Sequence, residues 1–482
     1  MADISLTFAV VLIAYLGVLI SIGVLGYRKT RTEEDFLTAG RSIGPWVGGA
    51  VLAATQISAG TFVGTVGRHY ATGVSWVWVW PGVWCGWLIS AIFVAPKLRQ
   101  FGAVTIPDFL AARYNSRVAR GLSAILIVFG YMILLVAQYQ ACGEIFQAIF
   151  GVKPGYAMLL LMLSTLIYTI LGGVRSSSYV DFLQILIVIG GLLMAIPILL
   201  DRVGGISAGG QILSSLDARL TGWWYNWKQI LGFSISFGLT MAAAPYEMVR
   251  FYSMRDKATV RYAIGVCFLF QALIGGAVML IGLMMRVLFP HLASVDQTSA
   301  VMALNLLSPI AGSLFIVAMI SAIMSSSNSI LIVASSGLSH DIYGKLIRPQ
   351  SSDRLRLLLN RVSILLLGSL PVWFALQRFT DVQSIVVVET RFIASFFFVP
   401  IVAGLNSKIG TPAGAIAGMA GGFAGCLAWS VLAADRFPNI DAAEVGIATS
   451  AILYFGVSRL SRSAPPENLD LFFKRHEAIK TG

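Results

Sequence analysis

Residues 52–60 read LAATQISAG and lie in the middle of an apolar stretch, Pro45 to Val66, long enough to cross a bilayer. Thr55, Gln56 and Ser58 would sit near the midplane, where an unpaired polar group is expensive, and Gly60 eases an interruption of the helix. A second polar station, AIMSSSNS at 322–329, falls at similar depth in the stretch 309–337. Taken singly, each serine reads as a close-packing residue whose hydroxyl bonds back to the preceding turn. Two stations at matched depth, one of helix-breaking composition, instead predict an unwound segment whose freed carbonyls meet the hydroxyls of Ser325 and Ser326. Carbonyl and hydroxyl oxygens without formal charge suit a monovalent hard cation better than zinc or calcium.

The rest of the chain agrees with a bilayer setting. Of 482 residues, 57% are hydrophobic and 12% charged, about half the charged share of a water-soluble protein. Runs of some twenty apolar residues occur at 5–26, 45–66, 74–95, 121–149, 155–173, 178–200, 229–248, 262–285, 309–337, 358–377, 384–405, 411–433 and 443–458. The expectation is an all-α polytopic membrane protein with about thirteen transmembrane helices, the lipid bilayer being its first partner. With the N-terminus outside, the inner loops and tail hold 25 of the 34 Lys and Arg residues and the outer loops eight, the bias expected of a cell-membrane protein with a cytoplasmic C-terminus. One basic residue, Arg391, falls inside an apolar segment.

Several function classes have little support. The net charge of +12 is scattered singly between apolar runs, which argues against nucleic acid. The four cysteines lie in apolar runs without CxxC spacing, and no HExxH, GxSxG or GxxxxGK[ST] pattern occurs. An enzyme or an ATP-driven pump is not expected. The first apolar run has no basic residues ahead of it and no small-residue cleavage site behind it, so it reads as a retained helix rather than a signal peptide.

Six ordered motifs add a resemblance: EDFLTAGRSIG (34–44), ATQISAGTFVG (54–64), TIPDFLAARYNSR (105–117), LGGVRSSSYVDFLQ (171–184), PYEMVRFY (245–252) and AIMSSSNSILIVASSGLSHDIY (322–343). Together they resemble the sodium:solute symporter family, which includes the sodium/proline and sodium/pantothenate permeases. The resemblance implies a LeuT-type 5+5 inverted repeat, with repeats at 45–200 and 201–405 and peripheral helices in 1–44 and 406–482. It also implies sodium as the coupling ion. The main sodium site would comprise the carbonyls of Ala54, Ile57 and Ala322 with the hydroxyls of Ser325 and Ser326. A possible second sodium, seen in some members, would involve Asp181, Ser325, Asn328 and Ser329, with Asn328 departing from the serine of that pattern.

The resemblance places substrate between the second, third, fourth, seventh and eleventh segments, pointing to Gln56, Ser58, Thr61 and Gln138. Arg391 is added by its depth, about 10 Å from the outer end of its segment at 1.5 Å per residue. An intramembrane arginine is a functional residue by default, and its planar fork suits a carboxylate. Glu389 cannot pair with it, because residues two apart do not face each other on a helix; Glu144 and Glu247 remain as candidate partners. The expected function is therefore sodium-coupled import of a small carboxylate-bearing solute such as a monocarboxylate, a pantothenate-like acid or an amino acid. A sodium/sugar symporter, a transport-like sensor and a channel are the rival readings. One sodium moving with a monoanion is electroneutral and concentrates it only roughly tenfold on a tenfold gradient, whereas two reach several thousandfold at about 100 mV.

Overall fold

The computed structural model describes residues 2–27, 37–462 and 472–473; the inner loop at 28–36 and most of the C-terminal tail lie outside the described residues. The chain is helical throughout its apolar segments. In order, the principal helices are α1 (Ala2–Tyr27), α2 (Pro45–Gln56), the run α3 (Gly60–Phe101), α4 (Ile106–Tyr114), α5 (Arg117–Phe150) and α6 (Pro154–Val203). They continue with α7 (Gly205–Leu216), α8 (Trp227–Ala243), α9 (Pro245–Ser253), α10 (Lys257–Leu288) and α11 (Thr298–Asn305). The last five are α12 (Pro309–Ile347), α13 (Asp353–Gln377), α14 (Val382–Asn406), α15 (Pro412–Leu432) and α16 (Ala442–Leu460).

Eight helical runs are long and apolar enough to cross a membrane by length and composition among the described residues. Neighbouring apolar segments merge into longer runs: α3 carries the end of 45–66 and all of 74–95, and α6 joins 155–173 to 178–200. No proline stands between Pro154 and Pro197 to oblige a stop in α6.

Interruptions fall elsewhere. α2 ends at Gln56 because Ile57 is extended, with φ −75° and ψ 107°. α8 ends the same way at Ala244, φ −69° and ψ 119°, and the chain restarts as a helix on Pro245, whose ring presets the first turn. Each of the two expected repeats thus has a broken helix near its start, as inverted-repeat transporters require of the segments that hold their cargo.

α12 runs through the middle of the molecule, almost wholly buried from Ala311 to Gly337, and packs on α6, α5 and α1. α10 covers α2, and α14 packs against α8, α5, α15 and α16. In lipid there is no hydrophobic gain from helix contact, so close approach through small residues matters most. Where α3 meets α8, a Cβ on Gly86 would lie 1.8 Å from the carbonyl oxygen of Gly238. Gly86→Ala must push two backbones apart and should cost about 1–3 kcal/mol, read as a lower thermal midpoint in detergent. Gly276→Ala, whose added Cβ meets nothing within 4 Å, should leave that midpoint unchanged.

Candidate functional site

The gap between α2 and α3 is held open by hydrogen bonds that divert its amides. In a continuous helix the N–H groups of Ser58, Ala59, Gly60 and Thr61 would return to the carbonyls of residues 54–57. Instead Ser58 N donates to Thr61 Oγ1 (3.3 Å), Ala59 N to Gln138 Oε1 (3.0 Å), Gly60 N to Ser58 Oγ (3.1 Å) and Thr61 N to the Ser58 carbonyl (2.9 Å). The carbonyls of Ala54, Thr55 and Ile57 are left to seek other partners.

They find α12. Ser326 Oγ lies 3.1 Å from the Thr55 oxygen, 3.1 Å from that of Ile57 and 3.2 Å from that of Ala322. Ser325 Oγ lies 3.2 Å from the Ala54 oxygen and 2.7 Å from Asp181 Oδ1. Each hydroxyl has one proton to give, so two protons face three freed carbonyls and a carboxylate. The surplus of inward oxygens is the chemistry that a bound cation satisfies. All five residues expected at the main sodium site are therefore brought together, joined by Thr55, which the sequence reading did not include. The Thr55 hydroxyl bonds back to the Val51 carbonyl (2.7 Å) and takes no part.

The residues expected at a second sodium are only partly assembled, and a cation from the protein stands among them. Arg250 of α9 donates to Asp181 Oδ2 at 2.9 Å and also to Ser329 Oγ; Asp181 and Arg250 are almost fully buried. Asn328 Oδ1 accepts from Thr169 Oγ1 (2.8 Å). A sodium ion at this position would have to displace a guanidinium from its carboxylate.

Beside the break lies a cavity that offers about 90 Å³ to the centres of water-sized molecules. At about 10–15 Å³ per water on that measure, it holds on the order of six to nine waters or one small solute. Gln56, Ser58 and Thr61 line it, and so does Ser326 of the oxygen cluster. Gln271, Gln383, Tyr246, Glu389, Thr390 and the rings of Trp76, Trp80 and Phe237 also line it, and the sequence reading had not placed them there. Gln56 Oε1 accepts from Gln271 Nε2 (2.8 Å), tying the two amides into one wall. Of the deeper tryptophans of the same segment, Trp84 is exposed and Trp87 is packed in the core.

Two expected substrate residues act elsewhere. Gln138 is fully buried and spends its carbonyl on the Ala59 N–H, so it props the break open from α5. Arg391 points away from the cavity and grips Asp441, the N-cap of α16, with Nε 3.0 and 2.9 Å from the two carboxylate oxygens and Nη2 2.5 Å from one of them. The physical reason is rotation: successive residues turn by about 100° on a helix, so Glu389, two residues earlier, takes the cavity side and Arg391 the opposite one. Glu144, a partner considered for Arg391, pairs instead with Arg378 (3.0 Å).

Ion-pair networks stand at either end of the bundle. At one, Arg120 bridges Asp108 (2.5 Å) and Asp341 (2.9 Å), with His340 Nε2 3.0 Å from Asp108 and Thr105 donating to Asp341 (3.0 Å). This network joins α4 to α12 and links two of the six sequence motifs. Asp108, His340 and Asp341 are close enough to share a metal ion, but Arg120 already supplies the positive charge. Burial would raise the Asp108 carboxyl, yet His340 and Arg120 hold it well below the usual carboxylate range. At the opposite end Arg68 contacts Asp381 (3.0 Å) and Ser384 (3.1 Å), and Asp296 accepts from Val382 N (3.1 Å).

The profile of the "Sodium:solute symporter family" matches residues 36–422. The sodium/proline symporter 2 of Staphylococcus saprophyticus is 27% identical over 440 residues, 88% of this chain and 86% of that protein. The osmoregulated proline transporter OpuE of Bacillus subtilis is 25% identical over 481 residues, 97% of each chain. Among solved structures, a Na+-coupled sialic acid symporter in a substrate-bound outward-open state superposes with a TM-score of 0.82 at 18% identity, covering 95% of this chain and 99% of that one. That likeness establishes the LeuT-type inverted-repeat fold.

Two predictions test the side-chain assignments. Arg391→Met and Asp441→Asn should each lower the thermal midpoint, with the double variant no worse than the worse single one, because they break one contact; solute affinity should not change. Burial pushes the Asp296 carboxyl up to about 7, reinforced by Asp381 and Glu144 against the Val382 amide and Arg68. Between about pH 4 and 7 the folded chain then holds a proton that the unfolded chain, with an ordinary value of about 3.9, has lost, so stability falls as pH rises through that window. Asp296→Asn should flatten that part of the profile of thermal midpoint against pH.

Proposed function

The chain belongs to the sodium:solute symporter family, and on that premise we propose that it imports a small carboxylate-bearing solute, an amino acid of proline's size first among them, with one sodium ion per cycle. Sodium-coupled symport across a membrane by a multi-pass transporter is common ground with the family. The finer reading is supported by the cavity's size and its continuity with the oxygen cluster at Ser326. The two proline-transporting relatives favour an amino acid.

The single observation that carries the sodium site is the acceptor surplus around Ser325 and Ser326. In this reading the carbonyls of Ala54, Ile57 and Ala322 and the two hydroxyls hold the ion. The solute rests against Gln56, Ser58 and Thr61, so both cargoes touch the same broken segment. Reorienting the two halves of the fold around that segment then exposes both to one side at a time. The charge bias of the loops supports an outside N-terminus and a cytoplasmic C-terminus.

One sodium is consistent with Arg250 occupying Asp181, and the energetics suit a zwitterion. A net-neutral solute moving with one sodium gains about 1.4 kcal/mol from a tenfold gradient and about 2.3 kcal/mol from 100 mV. The total of about 3.7 kcal/mol concentrates it roughly 500-fold. A monoanion with one sodium would forgo the larger part.

In proteoliposomes, Ser326→Ala should raise the half-saturating sodium concentration at least about tenfold, or about 1.4 kcal/mol. Ser327→Ala, whose hydroxyl only bonds back to the Ile323 carbonyl (2.7 Å), should not. Sodium activation of L-proline uptake should be hyperbolic. An unchanged sodium requirement in the Ser326 variant would remove the site, and a sigmoidal curve would restore a second sodium.

A further inference from the structure

The cavity contains a group that neither the broken helix nor the sodium site uses. Glu389 sits on its wall, only 2% exposed, and its Oε1 has no hydrogen-bond partner. A buried carboxyl without a partner is costly to keep, and in a cavity built to be filled the missing partner can arrive with the cargo. The other lining residues indicate the charge of that partner. Among the described residues, no lysine, arginine or histidine lines the cavity. The basic residue next in sequence, Arg391, is committed to Asp441 on the far side of α14. Trp76, Trp80, Phe237 and Tyr246 line the same space, and aromatic rings attract cations through their quadrupole, indole most strongly. One acidic group, four rings and no base make a pocket selective for positive charge.

Resting on the symport reading of this same cavity, we infer that Glu389 receives a positively charged nitrogen of the solute, so that the transported class is amino acids, betaines and related zwitterions or amines rather than simple monocarboxylates, pantothenate-like acids or sugars. The solute's carboxylate is left to the amides and hydroxyls of Gln56, Gln271, Gln383 and Thr61, which can donate without bringing charge. Net neutrality follows for a zwitterion: its ammonium is matched by Glu389, and its carboxylate lies towards the side of the cavity where Ser326 meets the sodium oxygens.

The test is a thermal-shift titration of the full chain in detergent, in sodium and in potassium, since a ligand that binds the folded state raises its apparent stability. The probes are L-proline, glycine betaine, N-acetyl-L-proline, propionate and D-glucose. N-acetyl-L-proline keeps the carboxylate and ring of proline but has no positive nitrogen. L-proline, glycine betaine or both should stabilise the chain, and the other three should not. Glu389→Gln should raise the half-saturating concentration of the cationic probe at least tenfold, while the shift produced by sodium alone persists and shows that the variant is folded. The inference is overturned if N-acetyl-L-proline or propionate binds as well as L-proline, if neither cationic probe binds, or if Glu389→Gln leaves solute binding unchanged. It is also overturned if that variant loses sodium binding in step with solute, which would place Glu389 in an ion site. Amine-specific binding that is equal in sodium and potassium would instead leave the inference standing and remove the symport reading beneath it.

Discussion

Four amide hydrogens decide what this molecule can hold. Because Ser58, Ala59, Gly60 and Thr61 send their N–H groups to Thr61, Gln138 and Ser58 rather than up the helix, the four carbonyls of residues 54–57 are released at the middle of the bundle, and those of Ala54, Thr55 and Ile57 meet α12. In a bilayer such groups must be satisfied from within the protein or by what it binds. α12 comes within reach with only two hydroxyls, so a deficit of positive charge is built into the contact itself. α5 and α14 contribute by fixing this mismatch in place: Gln138 props the gap from one side, and Val386 presses against Gly60 from the other, where a Cβ would come within 3.1 Å of it.

Around that point, charge is distributed with economy. Asp181 is paired with Arg250, Arg391 with Asp441, Glu144 with Arg378, and Asp108 and Asp341 with Arg120. Buried ion pairs of this kind contribute little net stability, yet removing one partner is strongly destabilising, so these pairs specify which helix ends and faces meet. The cavity is exempt from the pattern. Glu389 lines it without a protein counter-charge, and the freed carbonyls at its edge outnumber the two hydroxyl protons of Ser325 and Ser326. One broken segment carries both features, since Ile57 meets Ser326 while Ser58 and Thr61 line the cavity.

The same helical geometry that misplaced one residue in the sequence reading explains its correction. Glu389 and Arg391 were known not to face each other, and by that rule they point to opposite sides of α14. Depth singles out the arginine, but depth along a helix says nothing about rotation around it. A loop residue fifty positions later, Asp441, settled the matter by capping α16 next to Arg391. Gln138 does face the gap, and there its side-chain oxygen accepts from the Ala59 amide. The tryptophans of α3 divide in the same way, with Trp76 and Trp80 lining the cavity, Trp87 packed in the core and Trp84 exposed.

By itself the sequence determined the properties that depend on composition and periodic spacing: a helical membrane chain, its charge bias, the two polar stations at matching depth, and the motifs that identify the family. These are local or additive quantities, legible one segment at a time. Tertiary structure alone decided which side chain of each helix meets the cavity, which acid pairs with which base, and that Arg250 stands beside Asp181. Those outcomes depend on helix rotation and on contacts between residues distant in the chain, and rotation is set by packing against neighbours that no single segment encodes.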